Sequence, residues 1–164
     1  MSNHLYISYQ NDFPISFSLI DEKAVIDFSL KVLEHLKKDN WDVSIFFCFD
    51  SFIQELNKTY RNIDSPTDVL SFEMGEYYED KNEEKRYIAG DIVISLDSLK
   101  KNATNFSVSE NEELKRLIIH SLLHLSGMDH SDNSKDQPML ILQEDILKLF
   151  SSIEIIRKKN ETIW

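Results

Sequence analysis

Apolar residues along the chain recur in short blocks with two different periods. Leu5 to Tyr9 alternates and predicts a first strand. From about Ile20 to Lys38, the residues Ala24, Val25, Phe28, Val32, Leu33 and Leu36 recur at helical spacing and predict a helix with one apolar face. WDVSIFFCF is dense in aromatic and β-branched residues and predicts a largely buried strand. Asp50 or Ser51 is then placed to cap a short helix through SFIQELNKTY. A polar turn, RNIDSPT, leads into TDVLSFEM, which alternates well enough for a strand, and RYIAGDIVISL predicts another. Gly90 inside that last strand marks a bulge or a close approach of a second backbone. Asp97 is placed to cap a short helix through Asn102. Ser109 and Glu112 fit a capping box opening a helix to about Leu125, and Pro138 opens a terminal helix reaching about Ile156. These elements predict an α+β fold: a single domain with a roughly four-stranded mixed sheet packed by several helices. A metal site would lie at the end of a central helix.

Composition changes this picture little. At 164 residues, 1–164 reads as one domain, long enough to bury about two-thirds of its unfolded surface. No apolar run approaches the roughly 18 residues of a membrane span, so no membrane partner is expected. The stretch MSNHLYISYQ lacks the design of a secretory signal. The lone Cys48 sits in an apolar run as a small hydrophobe, and the absence of a partner thiol fits a reducing, cytoplasmic location. The net charge of −11 argues against a broad nucleic-acid footprint, although a local basic groove stays compatible with it. An acidic run, GEYYEDKNEEKR, Gly75 to Arg86, carries five acids against three bases and reads as a solvated surface loop.

The chemistry concentrates in HSLLHLSGMDH, which holds three of the five histidines. His120 and His124 are four residues apart, so on a helix their rings lie about 40° apart on one face, one turn above the other. Gly127 is placed to end the helix in the left-handed conformation, and the chain can then return His130 as a third ligand. Three neutral nitrogen donors with an open fourth position describe a catalytic zinc better than a closed structural one. The all-imidazole set favours zinc while also accepting nickel, copper or iron. His4 and His35 have no such company and read as ordinary core or surface residues. In the zincin pattern the residue after the first His is a glutamate that serves as general base. Here it is Ser121, which cannot take a proton near neutral pH, so peptide hydrolysis of that type is disfavoured. Phosphodiester cleavage, which asks for a nearby cation, is the natural alternative.

Arg61, in NKTYRNIDSPTDVLSF, is the candidate cation, displayed on a polar stretch between a helix and a strand. Asp64 and Asp68 lie close in sequence, and a structural Arg–Asp pair is the plain alternative. Taken together, NKTYRNIDSPTDVLSF, AGDIVIS and HSLLHLSGMDH resemble the YbeY family of bacterial endoribonucleases, in the family's order, over about residues 40 to 147. The family motif HGxLHLxGYDH is met at His120, His124, Gly127, Asp129 and His130, and left at Ser121 and Met128. Neither departure removes a ligand.

The resemblance implies that His120, His124 and His130 bind one zinc ion and that Arg61 is catalytic, contacting the scissile phosphate. It implies a single-strand-specific endoribonuclease acting in late small-subunit (16S) ribosomal RNA maturation and ribosome quality control. It implies as partners ribosomal RNA, a small-subunit ribosomal protein and the GTPase Era. Asp68 and Asp129 would support His or Arg side chains from behind. The alternative is a ribosome-assembly factor with a mainly structural metal and little nuclease activity. A third reading is a metallohydrolase of a small substrate.

Overall fold

Alternation in WDVSIFFC sends Val43, Ile45 and Phe47 to one face of a strand, and each is fully buried. In the computed structural model, which describes residues 2–11 and 20–157, this strand is β2 (Trp41–Cys48), at the middle of the sheet. The sheet is completed by β1 (His4–Tyr9), β3 (Val69–Glu79) and β4 (Lys85–Ser95) in the order β1-β2-β4-β3. β1 and β4 run parallel to β2, whereas β3 is antiparallel to β4 at the edge. The helices are α1 (Glu22–His35), α2 (Asp50–Arg61), α3 (Leu96–Phe106), α4 (Glu110–Leu125) and α5 (Pro138–Leu149). The protein is thus an α+β domain with a mixed four-stranded sheet.

Helix α4 is the axis of the main core. Leu114, Leu117, Ile118, Ile119, Leu122, Leu123 and Leu125 are buried on several sides of it, and it packs against α1, α3, α5, β3 and β4. Ser109 caps its start by accepting the Glu112 N–H at 3.0 Å. Only that half of the expected box forms, because the Glu112 carboxylate pairs with Arg116 instead. On the other sheet face, α2 closes a smaller cluster of Cys48, Ile53, Leu70 and Val93. Burial pushes the Cys48 thiol up to about 12, with Asp50 and Asp97 adding to the shift, so Cys48 is an inert packing residue.

Gly90 shows both features expected of it. β2 pairs Asp42 with Ile88 and Val43 with Gly90, leaving Ala89 as the extra residue of a bulge. A Cβ on Gly90 would stand 2.1 Å from the Phe72 carbonyl oxygen and 3.0 Å from Leu125, at a φ of +150°. The glycine therefore lets β3, β4 and the end of α4 meet.

Several boundaries differ from expectation, and at some of them a contact distant in sequence competes with a local one. Gly75 to Arg86 is largely exposed, as expected, but it is a β-hairpin continuing β3 and β4 rather than a loop. Tyr77 lies against Tyr87, and the buried Arg86 guanidinium donates to Asp42 at 2.7 Å and to the Ser2 carbonyl at 3.0 Å. The acids lie along both exposed faces and at the turn of that ribbon, where Asp80 accepts from the Asn82 and Glu84 N–H groups. Neither Asp50 nor Ser51 caps α2, whose N-cap is Phe49. Asp97 instead reaches across to accept the Asp50 N–H at 3.0 Å, and Ser95 caps α3. That helix continues to Phe106, past Asn102. Helix α1 is shorter than the apolar pattern at both ends, and α5 stops at Leu149 rather than near Ile156. The segment after α5 is drawn away by α4. The buried Lys115 ammonium donates to the carbonyls of Phe150, Ser151 and Ile153, and Asn111 accepts the Ile155 N–H at 2.6 Å. Among the described residues no helix is long and apolar enough to cross a membrane.

Candidate metal centre

Gly127, at φ +96°, ends α4 in a Schellman motif. Its N–H donates to the His124 carbonyl at 2.9 Å, and the Met128 N–H reaches back to Leu123 at 3.1 Å. This local turn returns the chain at once, so His130 comes up beside the two helical histidines. The three ring centroids lie 4.6, 5.2 and 5.4 Å apart, and one nitrogen from each ring lies within 4.8 Å of the others. These three histidines could hold a metal ion.

The hydrogen bonds behind the rings fit a metal. His120 Nδ1 meets Gln143 Oε1 at 2.6 Å, His124 Nδ1 meets the Met128 carbonyl at 3.1 Å, and His130 Nδ1 meets the Asp132 carbonyl at 2.9 Å. Each partner is an oxygen acceptor, so each Nδ1 carries the proton and each Nε2 presents a lone pair. The Nε2 atoms of His120 and His124 stand 3.0 Å apart, and with both rings in the Nδ1–H form two lone pairs face each other there. Two nitrogens on a tetrahedral zinc at 2.0–2.1 Å would be about 3.3 Å apart, close to this spacing. Burial holds the pKa of His120 below its ordinary value, aided by His124 and His130 against the Gln143 bond. Burial likewise lowers His124. Both rings therefore stay neutral donors to a lower pH than free histidine.

His120 and His124 line a cavity of about 500 Å³ together with Arg61, Ser71, Glu73, Met128 and Asp129. The structure thus brings Arg61 to the histidines across some sixty positions of sequence. Arg61 closes α2, donates to the Ser71 carbonyl at 3.1 Å and lies 5.2 Å over the Phe72 ring. Among the described residues it forms no ion pair with Asp64 or Asp68. Asp64 accepts from Gln54, and Asp68 binds the Val69 N–H and the Asn102 amide, tying β3 to α3. Asp129 accepts the His130 N–H at 2.8 Å and so shapes the ligand loop. Ser121 is fully buried, does not line the cavity, and its hydroxyl has no partner among the described residues. It is no substitute for the zincin glutamate. Gln143 was not singled out by the sequence, although a polar residue on the buried stripe Met139, Gln143, Ile146, Leu147 is a usable signal.

Comparison with known proteins agrees with the motifs. The family model described as Endoribonuclease YbeY matches residues 9–151. A protein of that name from Treponema denticola is 56% identical over 96% of this chain and 99% of its own length. Another, from Persephonella marina, is 44% identical over 79% of this chain and 83% of its own. The solution structure of TM1509 from Thermotoga maritima superposes with a TM-score of 0.59, covering 97% of this chain and 100% of that one, at 24% identity. That likeness concerns the fold alone. With a family model matched from the end of the first strand to beyond α5, and a relative covered nearly end to end, the chain belongs to the Endoribonuclease YbeY family.

Proposed function

We infer that this chain is an endoribonuclease, that residues 1–164 act as one domain, and that it cleaves single-stranded RNA with a divalent metal ion. The observation that carries this reading is one cavity holding His120, His124 and the Arg61 guanidinium, with His130 against both rings. Relatives 56% and 44% identical to this chain are named as endoribonucleases.

In this reading His120, His124 and His130 hold the ion through Nε2. Zinc is the metal their chemistry favours, and other divalent transition metals are admitted by it. The bound ion would supply Lewis-acid polarisation of a phosphodiester. Arg61 is catalytic, in that it contacts the phosphate. The Ser71 carbonyl and the Phe72 face fix its guanidinium, which leaves N–H donors for the phosphate oxygens. The substrate is small-subunit ribosomal RNA, met in the cytoplasm during late 16S maturation and ribosome quality control. A small-subunit ribosomal protein and the GTPase Era are the protein partners of this reading.

A second reading, a ribosome-assembly factor with a mainly structural metal, draws on the net charge of −11. Among the described residues, the cavity lining offers one cation, Arg61, beside Glu73 and Asp129. Such a protein would dock through basic ribosomal proteins.

The deciding experiment is elemental analysis of the purified protein with cleavage assays on single-stranded and duplex RNA. The nuclease reading expects about one equivalent of metal and cleavage confined to single strands. Full cleavage by metal-free protein overturns the mechanism. Normal ribosomal RNA ends in cells carrying an inactive Arg61→Ala protein that still co-purifies with small subunits favour the second reading.

A further inference from the structure

His120 differs from the other two histidines in what holds it. His124 and His130 present Nδ1 to backbone carbonyls, which cannot change from acceptor to donor. His120 presents Nδ1 to the side-chain amide of Gln143, which has an accepting and a donating end. A flipped amide would offer N–H groups to Nδ1, drive the ring proton to Nε2 and block the lone pair needed by a metal.

The surroundings of Gln143 settle which end faces the ring. Its Nε2 donates to Glu144 Oε2 at 3.1 Å. An ionised carboxylate only accepts, so it takes the amine end and leaves the carbonyl end for His120. Glu144 is itself held by a two-point clasp, Arg116 Nε to Oε2 and Nη2 to Oε1, both at 3.1 Å. Burial would raise the Glu144 pKa, but Arg116 and Gln143 hold it below its ordinary value, so it remains an acceptor. Arg116 is anchored in turn by Glu113 at 2.8 Å and Glu112 at 3.2 Å on its own helix. Gln143 is 7% exposed on the α5 stripe that packs toward α4, which leaves little room for water to substitute.

We propose that Gln143 is a positioning residue, oriented by the Glu144–Arg116 pair, that locks His120 in the Nδ1–H form and keeps its Nε2 aimed at the ion. The proposal rests on the reading that the three histidines hold a metal. Gln143 does not touch the ion and acts through the ring. The α4–α5 contact thereby sets the tautomer of one ligand, while backbone turns set the other two.

The test uses the full chain, stripped of metal and then titrated with zinc against a chelator of known affinity. In parallel, the imidazole nitrogen shifts of His120 in metal-free protein report the tautomer by NMR. Gln143→Leu, close in size and unable to accept from the ring, is expected to weaken zinc binding about 10- to 100-fold and to lose the pure Nδ1–H signature. The double variant Gln143→Glu with Glu144→Gln restores an acceptor for His120, and the amide now at position 144 bridges the carboxylate at position 143 to Arg116. It is expected to keep both the signature and zinc affinity within a few-fold. Glu144→Ala, at a more exposed position, frees the Gln143 amide and is expected to mix the tautomers even where Gln143→Leu fails to fold. An Nδ1–H signature unchanged in Gln143→Leu and Glu144→Ala overturns the proposal. Wild-type protein that binds no zinc overturns the metal reading instead, while the tautomer measurement still judges the lock.

Discussion

The two sides of the candidate site are built in opposite ways. On the histidine side, eleven consecutive residues carry all three candidate ligands, and each ring is fixed through its Nδ1 by a specific acceptor. On the arginine side, Arg61 is exposed at the end of α2 and rests on a β3 carbonyl and an aromatic face from another element. A metal needs its ligand atoms positioned to a fraction of an ångström before it arrives, whereas a phosphate can be gathered by a cation with some freedom. The histidine side is accordingly preorganised by local chain geometry, with Gln143 of α5 added behind His120, and the arginine side by the meeting of α2 with β3.

Breaking the histidine side should have the largest effect. His124→Ala is expected to reduce both bound metal and RNA cleavage to background, measured by elemental analysis and a labelled single-stranded substrate. A variant that cleaves normally without metal would show that the histidines serve another purpose. Breaking the arginine side should separate the two functions. Arg61→Ala is expected to lower cleavage about 100- to 1,000-fold, the scale of losing one transition-state donor, with metal content and Tm unchanged. Arg61→Lys keeps the charge without the planar fork, and its activity should fall between wild type and Arg61→Ala. Loss of metal from Arg61→Ala would mean that the sides are not independent.

The junction supporting both sides can be broken at Gly90. Gly90→Ala sets a methyl against the Phe72 carbonyl and close to Leu125 at the end of α4. It should destabilise the fold by about 3 kcal/mol, read from denaturant unfolding, and weaken metal binding and cleavage together. Wild-type stability in this variant would show that β3 can shift without cost. The smallest effect is one of pH. Burial holds His120 and His124 below the ordinary 6.5 in the folded protein. The unfolded chain then takes up more protons as pH falls past 6.5, so stability is whole above that value and declines as pH drops through the folded values. Metal-free protein should therefore lose Tm between about pH 7 and pH 5, and His124→Ala should flatten the slope. A slope unchanged in that variant would assign the acid sensitivity to other groups.

Recognition from sequence succeeded where the controlling contacts are near in sequence. The His120–His124 spacing, the Gly127 stop and the Ser109 cap all act within one or two helical turns, and all appear where the pattern puts them. It failed where a distant group competes. Asp97 serves the start of α2, where Asp50 or Ser51 was expected, and Ser95 caps α3, where Asp97 was expected, because β2 and β4 end side by side. The Gly75–Arg86 hairpin was hidden by its acids, since charge along a ribbon exposed on both faces resembles charge along a loop. Lys115, by pattern an ordinary polar position of α4, is a buried anchor for the chain after α5.

Consecutive residues were enough to specify the α+β class, the central helix and the grouping of His120, His124 and His130, because periodicity and local turn chemistry are written into short stretches of chain. Packing was needed to place Arg61 in a cavity with two of those histidines. Packing also set Gln143 against His120 and sealed Ser121 away from the cavity. Those facts depend on which faces of α2, α4, α5 and β3 meet, and side chains far apart in the chain have no common pattern until packing joins them.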